Sequence, residues 1–131
     1  MYLLDTNICI YIIKKRPESI LTKFEQLDKG TLFISVITLA ELQYGIEKSS
    51  SKKLNQDIVD EFCSLTNVLI WDKVCAREYG KIRCYLESKG TPIGNMDLLI
   101  AAHAMSLGYI LVSNNIREFA RVPGLKYENW I

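Results

Sequence analysis

The sequence predicts an α/β protein: a central, mostly parallel sheet of four to five strands between two layers of helices. Two observations predict it. Short apolar runs, several of them rich in β-branched residues, recur from one end of the chain to the other, at 2–4, 32–37, 68–71, 109–113 and 125–130. Between them lie stretches whose apolar residues repeat at helical spacing. That alternation is the signature of strand–helix–strand crossovers.

Bulk properties narrow the class. The 131 residues are enough for one domain, 1–131, with a real core. Apolar residues make up 49% and charged residues 24%, ordinary for a globular protein. A net charge of +1 excludes a uniformly basic surface, so any nucleic-acid contact must be a local patch. No apolar run approaches the about 18 residues that span a bilayer. Neither a basic n-region nor a long apolar core opens the chain, so a cytoplasmic protein without membrane contact is expected. The four cysteines form no C-x-x-C pair and His103 is the only histidine. A structural zinc site is therefore not expected, and the cysteines read as reduced, space-filling thiols.

The elements follow in order. Tyr2-Leu3-Leu4 is a buried strand that ends in Asp5-Thr6-Asn7 and turns into a helix over 7–15. Pro17 interrupts that helix and begins another over 18–27, closed by Lys29-Gly30. Residues 32–37 form a buried strand, and Thr38 opens a helix carrying Leu39, Leu42 and Ile46. A serine-rich loop at 48–53 leads to an amphipathic helix with Leu54, Ile58, Phe62 and Leu65 on one face. After a third strand at 68–71, Asp72 caps a longer helix that ends at Gly90. The loop Thr91-Pro92-Ile93-Gly94 precedes a helix that is apolar nearly all round, hence buried, and that Gly108 stops. A fourth strand at 109–113, a short helix after Asn114-Asn115, and a last strand within 125–130 complete the chain.

Polar groups of one kind recur at the strand ends and helix starts. Asp5 ends the first strand, and Glu41 falls in the first turn of the helix opened by Thr38. Asp97 falls in the first turn of the apolar helix, and Ser113, Asn114, Asn115 and Glu118 follow the fourth strand. In a parallel sheet these positions share one edge. Two or three carboxylates brought together there repel one another without a cation, and oxygen donors of this type hold Mg²⁺ or Mn²⁺. Capping offers a competing account. Thr38-x-x-Glu41 and Asn115-x-x-Glu118 match capping boxes, Asp5 suits an N-cap, and Asp97 suits a helix dipole. Singly, each acid favours the capping account. Together they favour the metal, because Asp5 and Asp97 are wedged among apolar residues, and a cap can still face an ion.

These residues carry a resemblance. Leu3-Leu4-Asp5-Thr6-Asn7, Ala40-Glu41-Leu42-x-x-Gly45, Thr91-Pro92-Ile93-Gly94-x-x-Asp97-x-x-Ile100-Ala101 and Ser113-Asn114-Asn115-x-x-Glu118-Phe119 stand in the order and spacing of PIN-domain ribonucleases. The likeness covers the whole chain and is nearest to the VapC toxins of bacterial toxin–antitoxin pairs. It implies a three-layer PIN-like fold and a metal-dependent endoribonuclease that cuts tRNA or rRNA and slows translation. It also implies that Asp5, Glu41 and Asp97 are catalytic and hold Mg²⁺ or Mn²⁺. The position of Asn115 is often aspartate in the family, so Asn115 and Glu118 are the candidate additional ligands. A homodimer is implied as well, with a VapB-type antitoxin that covers the active site and reaches operator DNA itself.

Thr6, Asn7 and Ser113 are expected to orient carboxylates or phosphate oxygens. Arg83, Arg117 and Arg121 are candidates for RNA or antitoxin contact. His103 is expected to be a hydrogen-bonded core residue, not a base. Two alternatives stay open at this point: a catalytically impaired PIN-fold binding partner, kept alive by Asn115, and a doubly wound receiver-like signalling module. The receiver lacks support in the sequence, because Thr6-Asn7 stands where a receiver's acidic pair is expected.

Overall fold

The computed structural model describes all 131 residues. Strands β1 (Tyr2–Leu4), β2 (Leu32–Ser35), β3 (Asn67–Leu69), β4 (Ile110–Val112) and β5 (Tyr127–Glu128) form one sheet, ordered β3-β2-β1-β4-β5. Every pairing is parallel. The helices are α1 (Thr6–Lys14), α2 (Glu18–Gln26), α3 (Val36–Lys48), α4 (Lys52–Ser64), α5 (Lys73–Ser88), α6 (Asn95–Leu107) and α7 (Ile116–Phe119), with a 3₁₀ turn at Lys29–Thr31.

Strand periodicity sorts the helices into layers. Successive side chains of a strand face opposite sides. Leu4, Leu32, Ile34 and Val112 join a core with Ile8, Phe24, Leu42 and Phe62, from α1 to α4. Leu3 and Leu111 join the opposite core with Leu86, Leu98, Ile100 and Phe119, from α5 to α7. The predicted three-layer α/β/α arrangement is therefore realised, with five strands, all parallel. Helix α6 is the expected buried helix: Leu98, Ile100, Ala101, Ala102, His103 and Ala104 are all buried, and Gly108, at φ 69°, ends it in the left-handed region.

The strand order matters for function. From β1 the chain adds β2 and β3 on one side, then returns to add β4 and β5 on the other. The order reverses between β1 and β4, where neighbouring connections diverge and leave a crevice at the strands' carboxyl ends. Asp5 and Ser113 follow paired Leu4 and Val112, and the Asp5 N–H donates to the Val112 carbonyl at 3.0 Å. Both residues therefore stand at the switch point.

One junction differs from expectation. Strand β2 stops at Ser35, and Val36 and Ile37 belong to α3. Their β-branched, apolar character favours a strand, but the Ser35 hydroxyl accepts the Ile37 N–H at 3.1 Å and starts the helix there. Thr38 is thus inside α3 and Glu41 lies in its second turn, so Thr38-x-x-Glu41 is not a capping box. Strand β3, at the sheet edge, ends at Leu69 because its only partner, β2, ends opposite it at Ser35. Ile70 and Trp71 lie beyond it.

Candidate active site

Asp5 is built by two neighbours in sequence and one in space. It is 5% exposed and caps α1, accepting the Ile8 N–H at 2.9 Å. Ser113, level with it on the adjoining strand, lies close enough for its hydroxyl to favour the ionised carboxylate. Ser113 is fixed in turn by accepting the Asn115 N–H at 2.9 Å. Burial pushes the Asp5 carboxyl up. Ser113 and the Ile8 N–H pull it back, and nearby Glu41 raises it again. Asp5 is therefore a cap and a member of an acidic cluster at once.

Glu41 reaches the cluster from α3. The Thr6 hydroxyl donates to Glu41 Oε1 and lies 3.3 Å from the Thr38 hydroxyl. Those bonds tie the second turn of α3 to the first residue of α1. Asn7 is exposed, and its backbone N–H lies near enough to favour the ionised Asp5 carboxylate.

The third and fourth acids come from the other helical layer. Asp97 stands in the first turn of α6 and Glu118 in α7. The expected Asn115-x-x-Glu118 box does not form, since the Asn115 side chain makes no capping bond. Its amide instead donates to both carboxylates, to Asp97 Oδ2 at 3.0 Å and to Glu118 Oε2 at 2.8 Å. Burial first, then the hydrogen bond and charge of Glu118, then the charge of Asp5, push the Asp97 carboxyl up to about 7. Glu118 is held below its usual range by neighbouring Asp97 first, and further by the Asn115 amide and the charge of Arg121.

Four carboxylates thus face one crevice. None of them is in a salt bridge, and the protein's four ion pairs all lie on the outer surface. A divalent cation that binds oxygen would relieve this repulsion, so the donor set fits Mg²⁺ or Mn²⁺. No three acidic, histidine or cysteine side chains close on one point as a finished cage.

The arginines divide. The Arg121 guanidinium donates to the Pro92 carbonyl at 3.0 Å, beside α6, and its charge acts on Glu118. Arg117 is exposed on α7, one residue before Glu118. Arg83 is committed along α5, to Glu87 at 3.1 Å and to the Tyr79 hydroxyl at 2.8 Å. His103 is 1% exposed, with Nδ1 2.8 Å from the Ser35 hydroxyl, the core role expected of it. Ser35 itself escaped notice in the sequence. A serine before an amphipathic run is the available signal, masked here by Val36 and Ile37.

A parallel sheet of this order with acids at its switch point defines the class, and the comparisons agree with it. The PIN-domain family model matches residues 2–125. The chain belongs to the PIN-domain family, among the VapC ribonucleases. Over 131 residues it is 50% identical to ribonuclease VapC2 of Rickettsia felis, covering 99% of this chain and 98% of that one. It is 46% identical over 129 residues to the tRNA(fMet)-specific endonuclease VapC of Salmonella typhimurium, covering 98% and 97%. The crystal structure of VapBC2 from Rickettsia felis, bound to a DNA fragment from their promoter, contains a chain that superposes with a TM-score of 0.93. That chain is 48% identical, and the match covers 99% of this chain and 98% of that one. Membership of this family sets the receiver-like alternative aside.

Proposed function

We propose that the protein is the toxin of a toxin–antitoxin pair, a single PIN domain over 1–131 that acts in the cytoplasm as a Mg²⁺- or Mn²⁺-dependent endoribonuclease. The observation that carries the proposal is the convergence of Asp5, Glu41, Asp97 and Glu118 at the switch point without a cationic side chain paired to any of them. No helix is long and apolar enough to cross a membrane.

Asp5, Glu41 and Asp97 would hold the ion, with Glu118 beside Asp97 as the additional ligand. When bound, such an ion supplies a Lewis acid that orients the scissile phosphate and lowers the pKa of water. Thr6 orients Glu41 and the Ile8 N–H orients Asp5 by hydrogen bonding to one oxygen of each, with Ser113 beside Asp5. Asn115 holds Asp97 and Glu118 apart yet in place through its two N–H groups. Arg117 and Arg121, flanking Glu118 in sequence, are placed to meet RNA phosphates or an antitoxin carboxylate. Arg83 would contribute only by leaving Glu87.

The substrate is RNA, and tRNA(fMet), cut by the Salmonella relative, is the first to assay. A VapB-type antitoxin would bind the toxin and carry it to operator DNA, and the toxin itself would be a homodimer. The test is cleavage of tRNA by purified protein with Mg²⁺, with Mn²⁺ and with EDTA, beside Asp5→Asn and Asp97→Asn. Cleavage should require the ion and vanish in both variants. Unchanged cutting by either variant would overturn the assigned site, and metal-independent cutting would overturn the cofactor.

A further inference from the structure

The buried pair Ser35–His103 is polar, and the hydrogen bond between its two side chains has no part in the site described above. Ser35 is 0% exposed and His103 is 1% exposed, and their side chains meet at 2.8 Å between two elements 68 residues apart. Burial of a polar pair costs free energy unless both partners are satisfied, so its position calls for a reason.

Position supplies one. Ser35 ends β2 and caps α3, and Glu41 lies six residues further along that helix. His103 lies in α6, and Asp97 lies six residues before it. The hydrogen bond therefore joins the two helices that deliver acids from opposite sides of the sheet. It is also the only side-chain hydrogen bond between α6 and the β2–α3 unit. On the far side, Glu41 is tied through Thr6 to the β1–α1 junction that carries Asp5. Two side-chain hydrogen bonds, His103–Ser35 at the start of α3 and Thr6–Glu41 in its second turn, thus tie α3 to α6 on one side and to the Asp5 junction on the other.

The donor and acceptor of the shared bond can be assigned. The Ser35 oxygen already accepts the Ile37 N–H, and its own hydrogen is free to go to His103 Nδ1. Burial disfavours the charged imidazole, more than Asp72 favours it, which keeps the ring neutral and Nδ1 able to accept.

We propose that Ser35 and His103 are a positioning pair for the acidic site: their hydrogen bond sets the spacing between Glu41 and Asp97, and so the affinity for the divalent ion. This rests on the metal site proposed above. Neither residue touches the ion or RNA. Partners that orient ligands from one layer further out typically contribute about ten- to a hundredfold in metal affinity or activity.

Amide replacements of His103 separate positioning from packing. In His103→Asn the amide reaches the place of Nδ1 and can still meet Ser35, whereas in His103→Gln it reaches the place of Nε2 and cannot. Both bury a neutral amide in the same site and leave the α3 cap intact. The measurement is Mn²⁺ titration calorimetry on the full chain, with kcat and KM for tRNA cleavage and melting in EDTA alongside. His103→Asn should bind Mn²⁺ within about twofold of wild type, and His103→Gln and Ser35→Ala about tenfold more weakly. Cleavage should lose kcat with KM for RNA unchanged, and Ser35→Ala combined with His103→Gln should be no weaker than the poorer single variant. Should Ser35→Ala fail to fold, the Asn–Gln contrast still decides. Equal Mn²⁺ affinity in His103→Asn and His103→Gln overturns the positioning role alone. Wild-type protein that binds no Mn²⁺ overturns the metal site and this inference with it.

Discussion

The two halves of the acidic crevice are held in different ways. On the Asp5–Glu41 side each carboxylate meets a donor that belongs to the fold: the Ile8 N–H for Asp5 and the Thr6 hydroxyl for Glu41. On the Asp97–Glu118 side two carboxylates share one amide, and the charge of Glu118 helps to push the Asp97 carboxyl up. The first half is part of what makes the protein fold. The second is a repulsion held in check, which the fold tolerates for the sake of the site. A substitution that harms function equally in both halves should therefore have opposite effects on stability.

The largest effects test that contrast directly. Asp5→Ala and Asp97→Ala should each lower kcat/KM by on the order of a hundredfold or more, since each removes a proposed ligand. Asp5→Ala should also lose the α1 cap and about 1 kcal/mol of stability. Asp97→Ala should not lower, and should raise, the melting temperature in EDTA at pH 8. Equal destabilisation by both would erase the distinction between the halves.

Asn115→Asp comes next. It replaces an amide that bonds both Asp97 and Glu118 with a third negative charge. The metal-free protein should lose about 1–3 kcal/mol, the cost of removing a partner from polar groups that are not fully solvated. Mn²⁺ should restore most of that, so the gap between melting temperatures with Mn²⁺ and with EDTA should widen relative to wild type. An unchanged gap would mean that Asn115 does not hold the repulsion in check.

How much of this was legible in the sequence follows the same division. Asp5 was legible because an apolar strand stops at it, and α6 because nothing but a buried helix accommodates 98–104. The strand runs sufficed for the sheet and its parallel sense. The start of α3 was not legible, since β-branched Val36 and Ile37 favour a strand until the Ser35 cap is seen to win. Nor was the Asn115 bridge, because the same Asn-x-x-Glu spacing serves a capping box, and only the approach of Asp97 from α6 diverts the amide. The Ser35–His103 bond depends on two elements meeting across 68 residues, which no local pattern encodes.

The pH dependence sharpens the comparison at smaller magnitude. The Asp97 carboxyl releases its proton near 3.8 in an unfolded chain and at about 7 in the fold. The folded state therefore binds more protons between those values, and the metal-free protein loses stability as pH rises from about 4 to 7. Glu118, shifted down, opposes this in part at lower pH. Because Asp97 is half-exposed, the net loss is on the order of 1 kcal/mol. Melting in EDTA from pH 4 to 8 should show a steeper decline in wild type than in Asp97→Asn, where Asp5, also shifted up, still contributes. Metal binding, which displaces that proton, should tighten over the same range.

The smallest expected effect concerns what surrounds the crevice. Arg117 is exposed and has no partner, while Arg121 is tied to the Pro92 carbonyl and its charge lowers the Glu118 carboxyl. If both meet RNA phosphates, their removal should differ in kind. Arg117→Ala should raise KM for tRNA a few-fold, flatten its salt dependence by about one phosphate contact and leave kcat intact. Arg121→Ala should act on the Asp97–Glu118 half as well, because it frees the loop before α6 and removes the one positive charge acting on Glu118. It should therefore lower kcat and weaken Mn²⁺ binding in addition to raising KM. Identical KM-only effects would place Arg121 among the RNA contacts and leave Asn115 to hold that half of the crevice by itself.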